Sequence, residues 1–271
     1  MSTLTAPPVE PVLTVCLSRG DNRTVKLAAE GVKRIGVHHR TGKSDAETTL
    51  SLVEASAVLV QGDRGDTTAA ENLVREAAQK LGGCDIYVQS LVPPPGEIYE
   101  PVMSTELSLE KWQAAFDTQA RAFYICGRTA AKFMCEGGRI IGLSYSHGGR
   151  TGGWQPWVAT GSAKAAMDSV SRYFAVALGR YGTTVNTVSP GMSDPSTVVG
   201  QTPQAWQDAM LQWVESGWTP MRRRATPGDI ADACALLCSD EARFVTGQAI
   251  TVDGGSSLMN SHFPLTLQIP A

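Results

Sequence analysis

Short apolar runs alternate along this chain with longer segments in which apolar residues recur at three- and four-residue spacing. The short runs are typical of strands buried on both faces, and the longer segments are typical of helices. Because parallel strands need a crossover connection, the alternation predicts βαβ units. The 271 residues, of which 42% are hydrophobic, contain no repeat or low-complexity linker that would divide the series. We therefore predict one α/β domain with a Rossmann-like, doubly wound sheet of seven parallel strands.

The predicted strands and helices follow one another through the whole chain. Strands are predicted at 12–16, 34–37, 57–60, 86–88, 139–143, 184–188 and 249–252, and helices at 23–29, 67–80, 108–134, 162–179 and 229–238. The right-handed crossover rule places the ligand crevice of such a sheet at the carboxyl ends of its strands. We expect a domain over residues 12–260, preceded by a flexible N-terminal segment, 1–11, and followed by a tail, 261–271.

Composition argues against several classes of partner. The net charge of -3 and the pI near 5.8 give no reason to expect nucleic-acid binding. No apolar stretch is long enough to span a membrane, and the first residues lack the pattern of a signal peptide, so a cytoplasmic location is expected. The six cysteines form no Cys-x-x-Cys pair and have no histidine at ligand spacing, so free thiols and no metal are expected.

Two segments in the carboxyl-terminal half carry a resemblance to a known family. VTGQAITVDGG at 245–255 resembles the last strand of the short-chain dehydrogenase/reductase family, and NTVSPG at 186–191 resembles its sixth strand with the turn that meets nicotinamide. The resemblance covers about residues 12–260 and implies the same Rossmann-like fold. It also implies that Pro190 and Gly191 contact the nicotinamide cofactor.

The first turn departs from the pattern of that family. The family has Thr-Gly-x-x-x-Gly-x-Gly, whose glycines let the backbone approach the cofactor pyrophosphate. This chain has VCLSRGDN at 15–22, where Gly20 alone matches and Ser18 and Arg19 are the other candidate cofactor contacts. Asp21 has two interpretations: it caps the following helix, or it stands beside a bound pyrophosphate that it would repel.

The end of the second strand favours NADP over NAD. HHRTGK at 38–43 places cations where an NAD enzyme would have a carboxylate, and Arg40 is the candidate partner of a 2′-phosphate. The alternative is an exposed basic loop. Asp63 resembles the family aspartate that meets adenine, although a turn aspartate has the same sequence pattern. Ser90 lies in VQSL, 88–91, which resembles the enoyl-acyl-carrier-protein reductase branch of the family, and is a further candidate cofactor contact.

The proton donor expected beside Lys164 is missing. In most of the family a tyrosine stands four residues before the lysine, where this chain has Thr160. In the enoyl-reductase branch it stands seven before, where this chain has Trp157, and Gly161 matches that branch. Neither a threonine hydroxyl nor an indole ionises as a phenol does. Lys164 and Trp157 are therefore candidate catalytic residues in an atypical site.

Tyr145, after the fifth strand, is the candidate replacement, with Ser144 beside it. Its phenol would polarise a carbonyl or protonate an enolate, with its pKa lowered by Lys164. The alternative is a tyrosine that packs under the glycine-rich loop that follows. Gln119 stands where the family has an asparagine that anchors a proton-relay water, and is the last catalytic candidate.

The resemblance also implies a covering segment and an assembly. Residues 192–226 would cover an apolar or acyl substrate, and Trp206 and Trp213, seven apart, favour a helix face that packs onto the sheet. The helices at 108–134 and 162–179 would form a four-helix contact, and the tail at 261–271 a subunit interface, in a homotetramer or a heterotetramer with another family member.

Three functions remain open. The first is an NADP(H)-dependent reductase of an enone, enoyl thioester or ketone. The second is a non-redox catalyst in the same crevice, such as a cyclase, dehydratase or isomerase. The third is a non-catalytic subunit that partners an active member of the family.

Overall fold

A computed structural model describes residues 12–16, 22–90, 100, 102–145, 153, 155–193, 204–260 and 262–268. Its strands are β1 Val12–Cys16, β2 Arg34–His39, β3 Ser56–Gln61, β4 Ile86–Gln89, β5 Arg139–Leu143, β6 Thr184–Pro190 and β7 Ala249–Val252. They pair in parallel in the order β3-β2-β1-β4-β5-β6-β7. The predicted α/β class is confirmed.

The helices join these strands and extend the predicted set. They are α1 Asn22–Ala29, α2 Lys43–Ser51, α3 Thr67–Leu81, α4 Leu109–Phe116, α5 Ala122–Ala130, α6 Val158–Leu178, α7 Gln204–Trp213, α8 Pro227–Cys238 and α9 Leu265–Gln268. Three of the differences matter for the site or its surroundings. The helix predicted at 108–134 is interrupted by a π-helical turn at Asp117–Arg121, α6 begins four residues earlier than predicted, and α2 was not predicted.

Each face of the sheet has its own core. Successive residues of a strand point to opposite faces, so Ile141 packs with α1 and α8 while Ile140 packs with α3, α5 and α6. Leu27 and Cys234 belong to the first core, and Phe123 belongs to the second. Helices on both faces leave the carboxyl ends of the strands as the place for a ligand crevice.

The turn after β7 joins two distant parts of the chain. A Cβ on Gly191, which follows β6, would lie 2.5 Å from Cβ of Asp253, so only glycine fits there. Met221 donates its backbone N–H to the carbonyl oxygen of Gly254 at 3.2 Å. The carboxylate of Asp253 accepts hydrogen bonds from Gly255 and Ser257. The turn at 253–255 therefore contacts Gly191, just before the segment predicted to cover the substrate, and Met221, near the end of that segment.

The tryptophans of that segment do not pack onto the sheet as predicted. Trp206 and Trp213 lie on α7 with 40% and 51% of their surfaces exposed. The ring of Trp213 instead stacks on Trp218, with 4.8 Å between ring centroids. This correction has a local cause, because a second π-helical turn at Val214–Trp218 follows α7 directly and brings the two indoles together. Within the described ranges, no helix has both the length and the apolar character needed to cross a bilayer.

Candidate active site

Lys164 lies at the centre of the candidate site. It is on α6, only 3% exposed, and its Nζ donates a hydrogen bond to the carbonyl oxygen of Leu143, the last residue of β5. Burial lowers the pKa of Lys164 to about 7; the charge of Asp168 opposes this shift, and the charges of Arg64 and Arg23 add to it. The lysine therefore gains or loses its proton near neutral pH.

Asp168 holds the helix of Lys164 against the sheet. It lies one turn further along α6 and is buried, and its Oδ1 accepts a hydrogen bond from the hydroxyl of Thr187 on β6 at 2.7 Å. Side chains four residues apart share one face of a helix, so Asp168 and Lys164 both face the strand ends. The aspartate is a positioning residue that sequence reasoning missed.

Ser144 and Tyr145 follow β5 directly. The backbone N–H of Ser144 donates to the carbonyl oxygen of Val188 at 2.8 Å, which fixes the chain at this strand end. The buried hydroxyl of Ser144 has no hydrogen-bond partner within the described structure. Burial raises the pKa of Tyr145 to about 12. The prediction of a lowered pKa is wrong, because burial desolvates the phenolate and so disfavours it.

The two positions where the family would have its tyrosine differ in their surroundings. Thr160 lies on α6 one turn before Lys164 and is buried, and its Oγ1 has no hydrogen-bond partner among the residues described. Trp157 ends a short 3₁₀ helix at Gln155–Trp157 and is only half-buried just before α6. Thr160 therefore presents a buried hydroxyl on the helix face of Lys164.

Gln119 lies in the middle of the π-helical turn and is fully buried. The side chain of Gln89, at the end of β4, donates to the backbone carbonyl oxygen of Gln119 at 2.9 Å and accepts from the hydroxyl of Tyr87 at 2.9 Å. Neither polar atom of the Gln119 amide has a hydrogen-bond partner in the part of the chain that is described. π-helical turns occur often at functional sites, and this one presents an unsatisfied amide at the strand ends.

The residues predicted to contact the adenosine half of the cofactor are only partly brought together in the structure. Arg40 follows β2 and is half-buried. His38 and His39, interpreted as part of a possible basic loop, are buried residues of β2, with Nε2 of His38 2.8 Å from the carbonyl oxygen of Gly62. Asp63 is exposed and accepts the backbone N–H of Gly65 at 2.8 Å, which favours the turn-aspartate alternative.

The remaining predicted cofactor contacts follow β4 and β6. Ser90 comes directly after β4 and is buried. Pro190 ends β6, and Gly191 is held against Asp253 by the backbone hydrogen bond to Val252. Ser18, Arg19 and Gly20, and the predicted cap Asp21, lie outside the described residues.

Arg64 is the charged residue that sequence reasoning missed. It follows β3 in the run Gly62-Asp63-Arg64-Gly65, which has the pattern of an exposed turn, yet only 2% of its surface is exposed. Neither Nη1 nor Nη2 has a hydrogen-bond partner within the described structure. No signal in the sequence indicates this burial, because it depends on contacts between segments far apart in the chain.

Comparison with known proteins gives the family. A family model described as Enoyl-(Acyl carrier protein) reductase matches residues 20–257. The chain is 30% identical over 246 residues to the short-chain dehydrogenase/reductase eriH of Hericium erinaceus, covering 85% of this chain and 90% of that protein. It is also 30% identical over 256 residues to the 1-cyclohexenylcarbonyl-CoA reductase of Streptomyces collinus, covering 91% and 86%. A short-chain dehydrogenase from Burkholderia cenocepacia, solved in complex with NADP, superposes with a TM-score of 0.79 at 25% identity, covering 91% of this chain and 98% of that one.

The chain belongs to the short-chain dehydrogenase/reductase family, whose members are oxidoreductases that bind nicotinamide cofactors. The residues present fit such a cofactor in one respect that does not depend on the family. Arg64 follows β3 at the carboxyl edge of the sheet, and its buried Nη1 and Nη2, which lack a hydrogen-bond partner among the described residues, would be satisfied there by an anionic dinucleotide. Lys164, Ser90 and Gly191 are described residues for which a contact with the cofactor is predicted.

Proposed function

We propose that this protein is an NADP(H)-dependent reductase of an enone, enoyl thioester or ketone. The observation that carries the proposal is the buried Lys164 at the end of β5, together with buried polar groups on Ser144, Thr160 and Gln119 that have no hydrogen-bond partner among the described residues. Buried polar groups without partners are costly unless a ligand or water satisfies them. The similarity to a protein named 1-cyclohexenylcarbonyl-CoA reductase supports an α,β-unsaturated acyl substrate.

Lys164, Ser144 and Tyr145 would have different roles in the reaction. The nicotinamide, when bound, supplies the hydride. Lys164 would hold the ribose hydroxyls of the cofactor, and Ser144 would donate a hydrogen bond to the substrate carbonyl oxygen. Because the pKa of Tyr145 is about 12, its phenol carries its proton at neutral pH and would give it to the oxyanion or enolate formed. The same pKa argues against Tyr145 as a base in the oxidative direction.

Arg40 supports the choice of NADP over NAD. Its guanidinium follows β2, where the ribose of an adenine nucleotide lies in a Rossmann-like fold, and a fork of donors suits a 2′-phosphate. Titration of the pure protein with NADPH and NADH, followed by nicotinamide fluorescence, tests this choice. Tighter binding of NADPH is expected, and no binding of either nucleotide would refute the proposed function.

The role of Tyr145 is tested by Tyr145→Phe, with Tyr181→Phe, on the surface after α6, as the matched control. We expect Tyr145→Phe to lower turnover by about 10²- to 10⁴-fold, the usual contribution of a general acid, while NADPH binding is kept. Tyr181→Phe should keep wild-type turnover. Unchanged turnover in Tyr145→Phe would show that the proton comes from another group.

The helix faces support the proposed tetramer. Leu109 on α4, Tyr124 on α5 and Tyr173 and Val176 on α6 are large apolar side chains that are 45% to 85% exposed. A second subunit packed on these helices would cover them. The same faces would serve a heterotetramer with an active family member. The alternative function of a non-catalytic partner subunit therefore rests on this observation.

A further inference from the structure

The loop that carries Arg64 is fixed to the π-helical turn of the long helix. Arg121 donates a hydrogen bond to the carbonyl oxygen of Gly65, and a Cβ on Gly65 would lie 3.4 Å from the methyl group of Thr118. The next residue, Asp66, caps α3 by accepting the N–H of Ala69 at 2.7 Å. The loop is thus held at the end that enters α3, beside the helical turn that contains Gln119.

Within the part of the chain that the structure describes, Nη1 and Nη2 of the buried Arg64 have no hydrogen-bond partner. An arginine cannot lose its proton in a protein, so it cannot escape the cost of burial by becoming neutral. Such a cost is tolerated where a ligand satisfies the charge. The unpaired Nη1 and Nη2 therefore indicate a binding site for an anion.

Two further cations face the same region. Arg64 and Arg23, the second residue of α1, both lie near enough to Lys164 to lower its pKa. Asp168, whose charge raises the pKa of Lys164, accepts a hydrogen bond from Thr187. Arg64 and Arg23 therefore place two permanent positive charges near Lys164.

We propose that Arg64, together with Arg23, binds the diphosphate of the dinucleotide cofactor by side-chain hydrogen bonds. This inference rests on the proposed function only for the identity of the ligand. The planar fork of an arginine matches two oxygens of a phosphate group, and α1 directs the positive end of its dipole to the same edge of the sheet. Arginine side chains would thus replace part of the backbone donation for which VCLSRGDN at 15–22 has too few glycines.

Calorimetric titration of the full chain with three probes tests the site. ADP carries the diphosphate and the adenosine, adenosine lacks the anion, and inorganic pyrophosphate carries the anion alone. The test variant is Arg64→Met, and Arg75→Met, an exposed arginine on α3, is the matched control. We expect Arg64→Met to weaken ADP and pyrophosphate by about 10- to 100-fold, as for loss of charged hydrogen bonds, and to leave adenosine unchanged. Arg75→Met should bind all three as the wild type does.

A second measurement separates binding from a structural role. Without ligand, Arg64→Met should unfold at a higher temperature than the wild type, because it removes an unpaired buried charge. If Arg64 only supports the loop, the variant should unfold at a lower temperature and keep its ADP affinity, which would overturn the inference. Arg64→Gln removes the charge but keeps a polar side chain, and the same loss of ADP affinity is expected if Arg64→Met does not fold.

The outcomes also separate this inference from the proposed function. If the wild type binds ADP and pyrophosphate through Arg64 but does not bind NADPH, the anion site is supported and the reductase function is refuted. If NADPH binds equally well with and without Arg64, the reductase function still stands and the anion site is refuted. Wild-type binding of adenosine as tight as that of ADP would also refute the anion site.

Discussion

The buried lysine predicts an unusual dependence of stability on pH. The pKa of Lys164 is lowered from 10.5 to about 7 in the folded protein, mainly by burial. Between these two values the unfolded chain holds a proton that the folded chain has released. Stability therefore rises as the pH rises through 7 and levels off above 10.5, in contrast to a lysine held by a carboxylate.

The size of the effect follows from the two pKa values. Integrating the difference in bound protons from pH 6 to pH 9, with 1.36 kcal/mol for each unit, gives about 2.7 kcal/mol of added stability. Lys164→Met has no such proton to lose. We expect the stability of the wild type relative to Lys164→Met to rise by this amount over that pH range.

Urea unfolding at fixed protein concentration, at pH 6, 7, 8 and 9 and without nucleotide, measures this difference. Subtraction of the variant from the wild type removes the pH dependence that both proteins share. Lys33→Met, an exposed lysine, is the control and should run parallel to the wild type. If the curve for Lys164→Met also runs parallel to that of the wild type, the pKa of Lys164 is not lowered and the argument for its buried, nearly neutral state fails.

Two further changes test the packing around the site by urea unfolding. Gly191→Ala should lower the free energy of unfolding by about 1 to 3 kcal/mol, because its Cβ would overlap Asp253. Gly179→Ala, at a position with open space around it, is the control and should not lower it. Equal effects of the two substitutions would contradict the close contact. Thr226→Ala should lower the free energy of unfolding by about 1 kcal/mol, because Thr226 and Asp229 form a capping box at the start of α8. Thr226→Ser, the control, should keep most of the stability. An equally large loss of stability in the serine variant would show that the methyl group, and not the hydroxyl, is responsible.

The fold could be predicted where burial and periodicity agree. β5 has the predicted bounds, because a parallel strand buried on both faces is a short run of apolar residues between turns. α2 was missed because Lys43–Ser51 is polar and only Ala46 and Thr49 are buried, so it has almost no apolar face. The π-helical turn at Asp117–Arg121 was missed because an extra residue in one turn leaves no signal in the pattern of residue types.

The site could be predicted only where the resemblance supplied positions. Lys164 contacts Leu143, the residue before Ser144, because α6 and β5 have the places in the chain that the family gives them. The pKa of Tyr145 could not be predicted with the right sign, since it depends on how much water the folded chain excludes. Arg64 was missed for a related reason. The neighbouring residue, Gly65, contacts Arg121 and Thr118, which are more than fifty residues away along the chain.

The contacts of the turn at 253–255 have a mechanical consequence. Asp253 lies against Gly191, and the carbonyl oxygen of Gly254 accepts a hydrogen bond from Met221. Gly191 and Met221, at the two ends of the intervening segment, therefore both contact the same short turn. A Cβ on Gly254 would lie 2.9 Å from a methyl group of Thr219, which leaves little play at this joint. A displacement of this turn would therefore displace Gly191 and Met221 together. An attachment or deletion next to residue 255 would affect both ends of that segment, although residue 255 is remote from the reacting groups in sequence.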